Sequence, residues 1–448
     1  MSKVEDVKVS LPYNFTPRAY QINVWNAFMR DGFKRGMCVW HRRAGKDLTF
    51  FNILVAKAFE RVGAYYYYFP TKVDGRAILW EGMDKEGRKF LDHLPPGLVA
   101  GEPKNVEMQI SLKNGSLFRV MGTDDLRVVG PNPIGCVFSE YSLQNPAAWD
   151  LVRPILAEND GWAIFNCTPR GRNHAYRMHL MARENPKWFH ELLTVDDTGA
   201  VSQEAIQAER ESGMRKELIQ QEFWCSFDAA LEGAIYADNI SLARIQGRVG
   251  KVSYNPEFPV HTAWDIGIHH ATAIWFFQEV MEDGELWYNH IDYYQNAGQG
   301  LDHYVNVLNK KDYWYGKHWA PHDIKVREAG TGVSRLETAL RLGLSFKICP
   351  GPQQIARDDG IEAVHQIFSH CRFDEVRCER GLDCLSAYRF GFDQKKDAYK
   401  TFPIDDWAAD GADAFRMFAI RRRPRASLST LDGNKLNRCI VPKEQIVL

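Results

Sequence analysis

The chain has 448 residues, a formal net charge of −1 and an apolar fraction of 45%, which is enough for about two or three domains with ordinary cores. We expect neither a membrane span nor a signal peptide, and the nine cysteines, scattered without CxxC pairs, indicate free thiols in a reducing compartment rather than a zinc site. Because the net charge is near zero, any contact with nucleic acid must come from local basic patches.

A helix opening at Pro17–Gln21 is the first predicted element with a candidate binding residue. The side-chain amide of Gln21 can donate to and accept from an adenine edge at once, because it carries both functions. A solvated glutamine on an amphipathic helix is the alternative interpretation.

A tight turn between a strand and a helix follows. Met37–Trp40 is a short apolar run, and Leu48–Phe59 has apolar residues at helical spacing. A Gly-Lys turn that opens a helix is typical of a phosphate-binding loop, whose backbone N–H groups and lysine face an anion. The predicted ATP-binding residues of this loop are Arg43, Ala44, Gly45, Lys46 and Asp47.

This loop departs from the usual phosphate-loop pattern at two positions. Trp40 stands in place of the first glycine, and Asp47 stands in place of the metal-binding Ser or Thr. Taken alone, the motif fits an ordinary basic strand-to-helix turn equally well.

Further strands indicate a parallel sheet. Ala64–Phe69 reads as a buried strand, and a helix is expected over Ala77–Phe90. Lys113–Gly115 is predicted to join a hairpin. Strands alternating with helices predict an α/β fold with a mostly parallel sheet and ligand sites at the strands' carboxyl ends.

Two later strands end in candidate functional residues. Pro133–Ser139 leads to Glu140, a carboxylate suited to orienting the water that attacks a nucleotide. Trp162–Cys167 leads to Thr168. Since these strand ends and the phosphate loop share one edge of the predicted sheet, an ATPase is favoured.

In this order the motifs resemble the ATPase half of tailed-phage terminase large subunits, which package viral DNA. The similarity rests on Pro17–Gln21, Arg42–Lys46, Val137–Tyr141 and Thr168–Asn173. It implies a P-loop (ASCE-type) ATPase domain that uses ATP and Mg²⁺, with Thr168 in the motif that couples hydrolysis to movement.

The resemblance also defines what is unusual about the metal and arginine positions. Ser139 stands where the family usually has an Asp that helps hold Mg²⁺, so Asp47 is a candidate for that oxygen. Positive charge near the γ-phosphate would come from Arg42 or Arg43 in cis, or from Arg127 in trans within a ring. For each arginine an ordinary surface role is the alternative.

The segment from Ser202 to Gly233 is charged and helical and resembles the lid and linker of the same family. We therefore expect an ATPase domain at 1–231, with the lid and linker at about 202–231, a second domain at 232–425 and a C-terminal tail at 426–448.

The second half has the element order of an RNase H-like α/β nuclease. Three strands with an antiparallel turn at Glu282–Gly284 are followed by a helix, a strand and a late helix, and acids lie at the strand tips and on that helix. Such enzymes gather carboxylates around two hard divalent cations, one activating water and one stabilising the leaving oxygen.

This half resembles the terminase nuclease through Trp264–Gly267, Ile291–Tyr294, Pro321–Asp323 and Ala412–Arg416. On that pattern the catalytic metal ligands for two Mg²⁺ or Mn²⁺ are Asp265, Asp323 and Asp413. Asp410 is either an auxiliary ligand or a carboxylate that interacts with its helix dipole.

Other polar residues near these acids have less specific interpretations. Asp292 is expected to cap or solvate its strand, although an approach to the acids is open. His322 is a positioning or phosphate-contacting candidate, with a core or surface position as the alternative. His269 and His270 are poor matches to Mg²⁺ because imidazole suits softer metals.

The resemblance implies a bacteriophage packaging motor that translocates double-stranded DNA into a procapsid and cuts the concatemeric genome. Its implied partners are DNA, the portal ring, a small terminase subunit and further copies in a pentameric ring, with a monomer in solution. The expected location is the host cytoplasm rather than the mature virion. The basic run Arg421–Arg425 would contact DNA, or the tail after it would dock on the capsid entry ring.

Two alternatives stay open because Asp47 and Ser139 depart from the usual pattern. One is a helicase or repair-type ATPase with an accessory nuclease. The other is a hydrolysis-deficient DNA-binding scaffold.

Overall fold

The computed structural model describes residues 10–124, 132–227, 233–267, 271–327, 332–393 and 398–421. The chain divides into two compact units, the first comprising Met1–Asp238 with Asp383–Ala409 and the second Asn239–Leu382 with Asp410–Leu448. The predicted boundary at 231/232, Arg127, the two histidines at 269 and 270, and the tail at 426–448 lie outside the described residues.

The β-strands, in chain order, are β1 Arg35–Trp40, β2 Ala64–Phe69, β3 Gln109–Ser111, β4 Leu117–Gly122, β5 Pro133–Ser139, β6 Trp162–Cys167, β7 Phe189–Leu193, β8 Val249–Gly250, β9 Val260–Asp265, β10 Thr272–Glu282, β11 Glu285–Asn296, β12 Tyr315–Ala320, β13 Phe346–Ile348, β14 Cys371–Asp374, β15 Phe390–Asp393 and β16 Ala398–Pro403.

The α-helices are α1 Ile22–Met29, α2 Lys46–Glu60, α3 Lys72–Gly75, α4 Ala147–Glu158, α5 His174–Glu184, α6 Val195–Thr198, α7 Gln203–Glu211, α8 Lys216–Trp224, α9 Ala237–Ile245, α10 Leu301–Lys310, α11 Arg335–Arg341, α12 Arg357–Phe368, α13 Glu379–Ala387 and α14 Ala409–Ile420. None of those described is long and apolar enough to cross a membrane.

The first unit is built on a sheet with the strand order β3-β4-β2-β5-β6-β1-β7. All neighbouring pairs are parallel except β3 and β4, which form the predicted antiparallel hairpin. The prediction of a mostly parallel α/β sheet is therefore confirmed. Because β6 lies between β1 and β5, the loops that follow these three strands meet at one edge of the sheet.

Both faces of this sheet are buried, which explains the run of four tyrosines in β2. Tyr65 and Tyr67 pack into one apolar core, and Tyr66 and Tyr68 pack into the other. Since successive side chains of a strand point to opposite faces, a strand covered on both sides must be apolar or aromatic throughout.

The predicted helix over Ala77–Phe90 is wrong. After α3 the chain makes only a π-helical turn, Arg76–Trp80, and then runs irregularly. Glycines explain the early end. At Gly82 an added Cβ would lie 1.9 Å from the Ile78 carbonyl oxygen, and Gly87 has a φ of +78°, a left-handed conformation that only glycine adopts easily.

The segment predicted to be a lid forms two short helices, α7 and α8. Ile206 of α7 packs with Ile219 and Phe223 of α8 in a small apolar cluster of its own. This cluster accounts for the apolar residues in a segment that is otherwise charged.

The second unit contains a sheet with the order β13-β12-β9-β10-β11-β14-β8. The antiparallel meander β9-β10-β11 is confirmed, and β12, β13, β14 and β8 join it in parallel pairs. Asp265 ends β9, and Asp323 lies in a 3₁₀ turn, His322–Lys325, directly after β12. The parallel β9–β12 pair thus carries both acids at the same end.

Candidate functional site

Lys46 connects the three motifs at the edge of the first sheet. Its ammonium donates hydrogen bonds to Thr168 Oγ1 at 2.8 Å and to the carbonyl oxygens of Trp40 and His41 at 3.2 and 3.4 Å. Glu140 Oε1 lies 3.6 Å from the same nitrogen. The phosphate loop, the acidic strand and the segment after β6 therefore converge on one buried cation.

The loop before Lys46 is shaped by two residues in the left-handed region. Arg43 has a φ of 73° and Gly45 a φ of 75°, and Gly45 is the N-cap residue of α2. An added Cβ at Gly45 would lie 3.0 Å from Gln21 Nε2. This geometry leads the backbone N–H groups into the N-terminus of a 15-residue helix, where an anion is stabilised by the helix dipole.

Glu140 occupies an unusual backbone position. Its φ of 53° and ψ of 44° are left-handed, a conformation that costs a non-glycine residue about 1–3 kcal/mol and is concentrated at functional sites. Its Oε2 atom is buried and has no hydrogen-bond partner among the described residues. One carboxylate oxygen thus faces Lys46, and the other is a buried acceptor.

Asp47 and Ser139 contact each other directly. Ser139 Oγ donates to Asp47 Oδ1 at 2.5 Å, and Tyr67 donates to the same oxygen at 2.9 Å. Burial raises the pKa of Asp47, which the Ser139 hydrogen bond opposes, while the charge of Glu140 raises it further. A carboxylate and a hydroxyl are hard oxygen donors, so this pair fits Mg²⁺.

Asn166, on β6, completes this group. Its Oδ1 lies 3.4 Å from Ser139 Oγ, and its buried Nδ2 has no hydrogen-bond partner in the part of the chain that is described. Asn166 was not predicted to be a site residue. The sequence does contain one indication of a role for Asn166, because it is a polar residue inside an apolar strand, one residue before Cys167.

Gln21 is buried against the phosphate loop. Its Nε2 donates to the Ala44 carbonyl at 2.9 Å, and its Oε1 accepts from the Arg18 backbone N–H at 3.0 Å. The structure therefore places Gln21 beside the phosphate loop. The adenine contact itself stays a prediction.

The candidate arginines lie on the side of the loop that faces α8. Arg42 Nη1 lies 3.5 Å from Glu222 Oε2, and Arg170 donates to Glu222 Oε1 at 2.6 Å. The side chain of Glu222 is only 5% exposed, whereas that of Arg42 is 61% exposed. Arg43 is exposed and lines, with Arg42 and Arg170, a pocket of about 590 Å³. Glu222 was not singled out from the sequence because nothing local distinguishes it from other helical glutamates.

In the second unit, three other acids lie within electrostatic range of Asp265. Burial raises the pKa of Asp265 well above its usual range, and the charges of Asp413, Asp410 and Asp323 raise it further, in that order. Arg416 acts in the opposite direction. The predicted ligands and the predicted auxiliary residue therefore share one cluster.

The acids differ in their surroundings. Asp413 Oδ1 accepts from Arg416 at 3.1 and 3.2 Å. Asp410 Oδ2 accepts from the Ala271 N–H at 3.2 Å and from Gln295 Nε2 at 3.4 Å. Asp323 is exposed. The i,i+3 spacing of Asp413 and Arg416 on a helix was visible in the sequence and would have identified this ion pair.

As they stand, no three or more His, Cys, Asp or Glu side chains within the described residues are arranged to hold a metal ion. The donor set nevertheless fits a hard divalent cation. It consists of carboxylates, and a bound cation would offset the repulsion between Asp265 and the neighbouring carboxylates.

Asp292 is engaged elsewhere in the second unit. It forms an ion pair with Lys311 and accepts from Tyr313 at 3.1 Å and from the Tyr293 N–H at 2.8 Å. These contacts favour the structural interpretation over an approach to the acid cluster. His322 is exposed and packs beside Gly351, so its predicted phosphate contact stays a prediction.

Solved structures of large terminases are similar to the chain. The large terminase of the thermophilic bacteriophage D6E is 17% identical and covers 90% of this chain and 98% of its own, with a TM-score of 0.41. The ATPase domain of the Thermus phage P74-26 large terminase is 18% identical over 49% of this chain and 100% of its own, with a TM-score of 0.40.

The P22 large terminase nuclease domain is 15% identical over 43% of this chain and 93% of its own, with a TM-score of 0.33. No family model and no curated protein matches the sequence. Since these likenesses are distant and concern the fold, function has to be inferred from the two sites themselves.

Proposed function

We propose that this chain is the large subunit of a phage DNA-packaging motor, which hydrolyses ATP to move double-stranded DNA and cuts that DNA with a metal-dependent endonuclease. The observation that carries the proposal is the ammonium of Lys46, hydrogen-bonded to Thr168 and 3.6 Å from Glu140. The nuclease part of the proposal is supported by the grouping of Asp265 with three other carboxylates in the second unit.

In the first unit, ATP is the substrate of the phosphate loop. The β- and γ-phosphates would replace the carbonyl oxygens of Trp40 and His41 as partners of Lys46. Glu140 orients water and accepts its proton as the oxygen attacks the γ-phosphorus and the bond to the bridging oxygen breaks. Arg42 and Arg43 add positive charge for the transition state.

Thr168 is suited to linking this chemistry to movement. Its hydroxyl accepts from Lys46, and its carbonyl oxygen accepts from Ser142 in the turn after Glu140. If nucleotide binding changes the partners of Lys46, its hydrogen bond to Thr168 transmits that change to the segment after β6.

In the second unit, Asp265, Asp323 and Asp413 would hold two Mg²⁺ or Mn²⁺ ions, with Asp410 auxiliary. Such ions activate water and stabilise the leaving oxygen of the cut strand. Arg416 keeps the side chain of Asp413 oriented through its two hydrogen bonds.

The partners belong to the same proposal. A packaging motor requires a portal ring, a small terminase subunit and a ring of copies of this chain, proposed as a pentamer, in the host cytoplasm. Arg127, if supplied by a neighbouring copy, would act in trans.

The test is ATP turnover with and without double-stranded DNA. Lys46→Ala and Glu140→Gln are each expected to lower the turnover number about 10²-fold or more. Glu158→Gln, which removes an exposed carboxylate from the last turn of α4 in the same unit, serves as the matched control. Full DNA-stimulated turnover in both site variants would refute the ATPase.

Two alternatives are separated by further measurements. Strand separation on a forked duplex, without packaging of DNA into procapsids, would favour a helicase. Absence of ATP turnover with DNA and capsid ring present would favour a hydrolysis-deficient scaffold. This alternative rests on Asp47 and Ser139, which depart from the usual residues at these positions.

A further inference from the structure

We infer that Asp47 and Ser139 have exchanged roles, so that the carboxylate which meets the nucleotide's cation is carried by the phosphate loop instead of the acidic strand. This inference rests on the proposed ATP site. In P-loop NTPases the loop supplies a hydroxyl and the acidic strand supplies a carboxylate, and the two share the cation. Here the same two groups are present in opposite places.

Their contact has the geometry that an exchange requires. Ser139 Oγ donates to Asp47 Oδ1 at 2.5 Å across the space between α2 and the end of β5. A hydroxyl can offer its lone pairs to a cation only when its proton is directed to another acceptor, and the carboxylate is that acceptor. This requirement is met equally well whichever of the two positions carries the hydroxyl.

The second oxygen of Asp47 remains available. Both hydrogen bonds to its side chain, from Ser139 and from Tyr67, arrive at Oδ1. No hydrogen bond from the described residues reaches Oδ2. The pair therefore presents one carboxylate oxygen and one hydroxyl oxygen as hard donors.

The exchange has an electrostatic consequence. Asp47 is the second residue of α2, so its charge lies at the helix end that receives the phosphates. A loop hydroxyl is neutral there, whereas a carboxylate repels an uncomplexed triphosphate. Nucleotide binding by this chain should therefore depend on a divalent cation more strongly than it would with a serine at position 47.

The experiment measures binding of a fluorescent ATP analogue to the full chain in excess Mg²⁺ and in EDTA. Wild type is expected to bind at least about tenfold more weakly in EDTA. Asp47→Ser is expected to bind more tightly than wild type in EDTA and to lose most of the Mg²⁺ effect. Asp150→Ser, which removes an exposed acid from the first turn of α4, should leave both affinities unchanged.

The reciprocal variant tests the pair without nucleotide. Ser139→Asp alone brings two carboxylates into contact and should lower the Tm in EDTA. The double variant Asp47→Ser/Ser139→Asp restores one hydroxyl and one carboxylate, so its Tm should return towards the wild-type value.

The outcomes separate this inference from the ATP site itself. No binding of ATP by wild type in Mg²⁺ would overturn both. Equal binding of ATP in Mg²⁺ and in EDTA would overturn the exchange but not the ATP site. The same conclusion would follow if the Tm of the double variant fell by as much as the sum of the decreases in the two single variants.

Discussion

Neutralising Asp265 is expected to stabilise the protein when divalent cations are absent. Burial and three neighbouring carboxylates raise the pKa of Asp265 well above its usual range. In the folded state the group therefore holds a proton to higher pH than in the unfolded state. Above the raised pKa its charge destabilises the fold, and the variant Asp265→Asn lacks this charge.

The magnitude follows from the charges around Asp265. A like-charge contact at about 4 Å costs about 1 kcal/mol in water and about 4 kcal/mol at an effective dielectric of 20. Burial and the three carboxylates raise the pKa of Asp265, and Arg416 opposes them, so the gain at neutral pH should be about 1–3 kcal/mol. For a domain of about 150–250 residues, this corresponds to a rise in Tm of about 2–12 °C.

The assay is thermal unfolding in EDTA between pH 4 and pH 8. This is roughly the pH range over which a raised carboxyl pKa changes the stability of the fold. The difference between variant and wild type should be largest at high pH. It should shrink as the pH falls through the raised pKa towards the ordinary value, because wild-type Asp265 then also becomes neutral. Excess Mn²⁺ should raise the Tm of wild type more than that of the variant.

Asp292→Asn is the matched control, since it makes the same substitution in the same sheet. Asp292 is buried but paired with Lys311 and Tyr313, so its neutralisation should lower the Tm. If Asp265→Asn lowered the Tm in EDTA as Asp292→Asn does, the electrostatic interpretation of the acid cluster would be refuted.

Three further predictions concern the first unit. Thr168→Val should lower ATP turnover about 10–100-fold while ATP binding is retained, because Lys46 loses a 2.8 Å hydrogen bond; turnover and binding of the fluorescent analogue check this. Arg177→Met should lower the free energy of unfolding by about 2–3 kcal/mol in urea, because it leaves the buried Asp383 without its bidentate partner; an unchanged midpoint would contradict it. Gly45→Ala should weaken ATP binding at least about tenfold, because φ is +75° at that position.

Hydrophobic pattern and strand-end chemistry were sufficient to predict much of the fold. Apolar runs that end in polar residues identified β1, β5 and β6, whose loops converge on Lys46. The antiparallel meander of the second unit followed from a Glu-Asp-Gly turn. These signals are local, which is why they could be read without the structure.

What the sequence could not provide depends on contacts between distant residues. The Glu222 pairs with Arg42 and Arg170 join positions 180 and 52 residues apart, respectively, and the Asp47–Ser139 contact spans 92 residues. The wrong helix over Ala77–Phe90 has a local cause. Its apolar residues have helical spacing, but the chain at Gly82 takes a conformation in which an added Cβ would lie 1.9 Å from the Ile78 carbonyl oxygen.

We propose that one chain combines an ATPase with a nuclease, and cleavage of supercoiled plasmid in Mg²⁺ and Mn²⁺ is the decisive assay for this combination. Wild type and Lys46→Ala should both cut the plasmid, because the acid cluster lies in the second unit. Asp323→Asn, which removes one carboxylate charge from that cluster, should cut little or not at all. Equal cutting by wild type and Asp323→Asn would refute a nuclease site at the acid cluster.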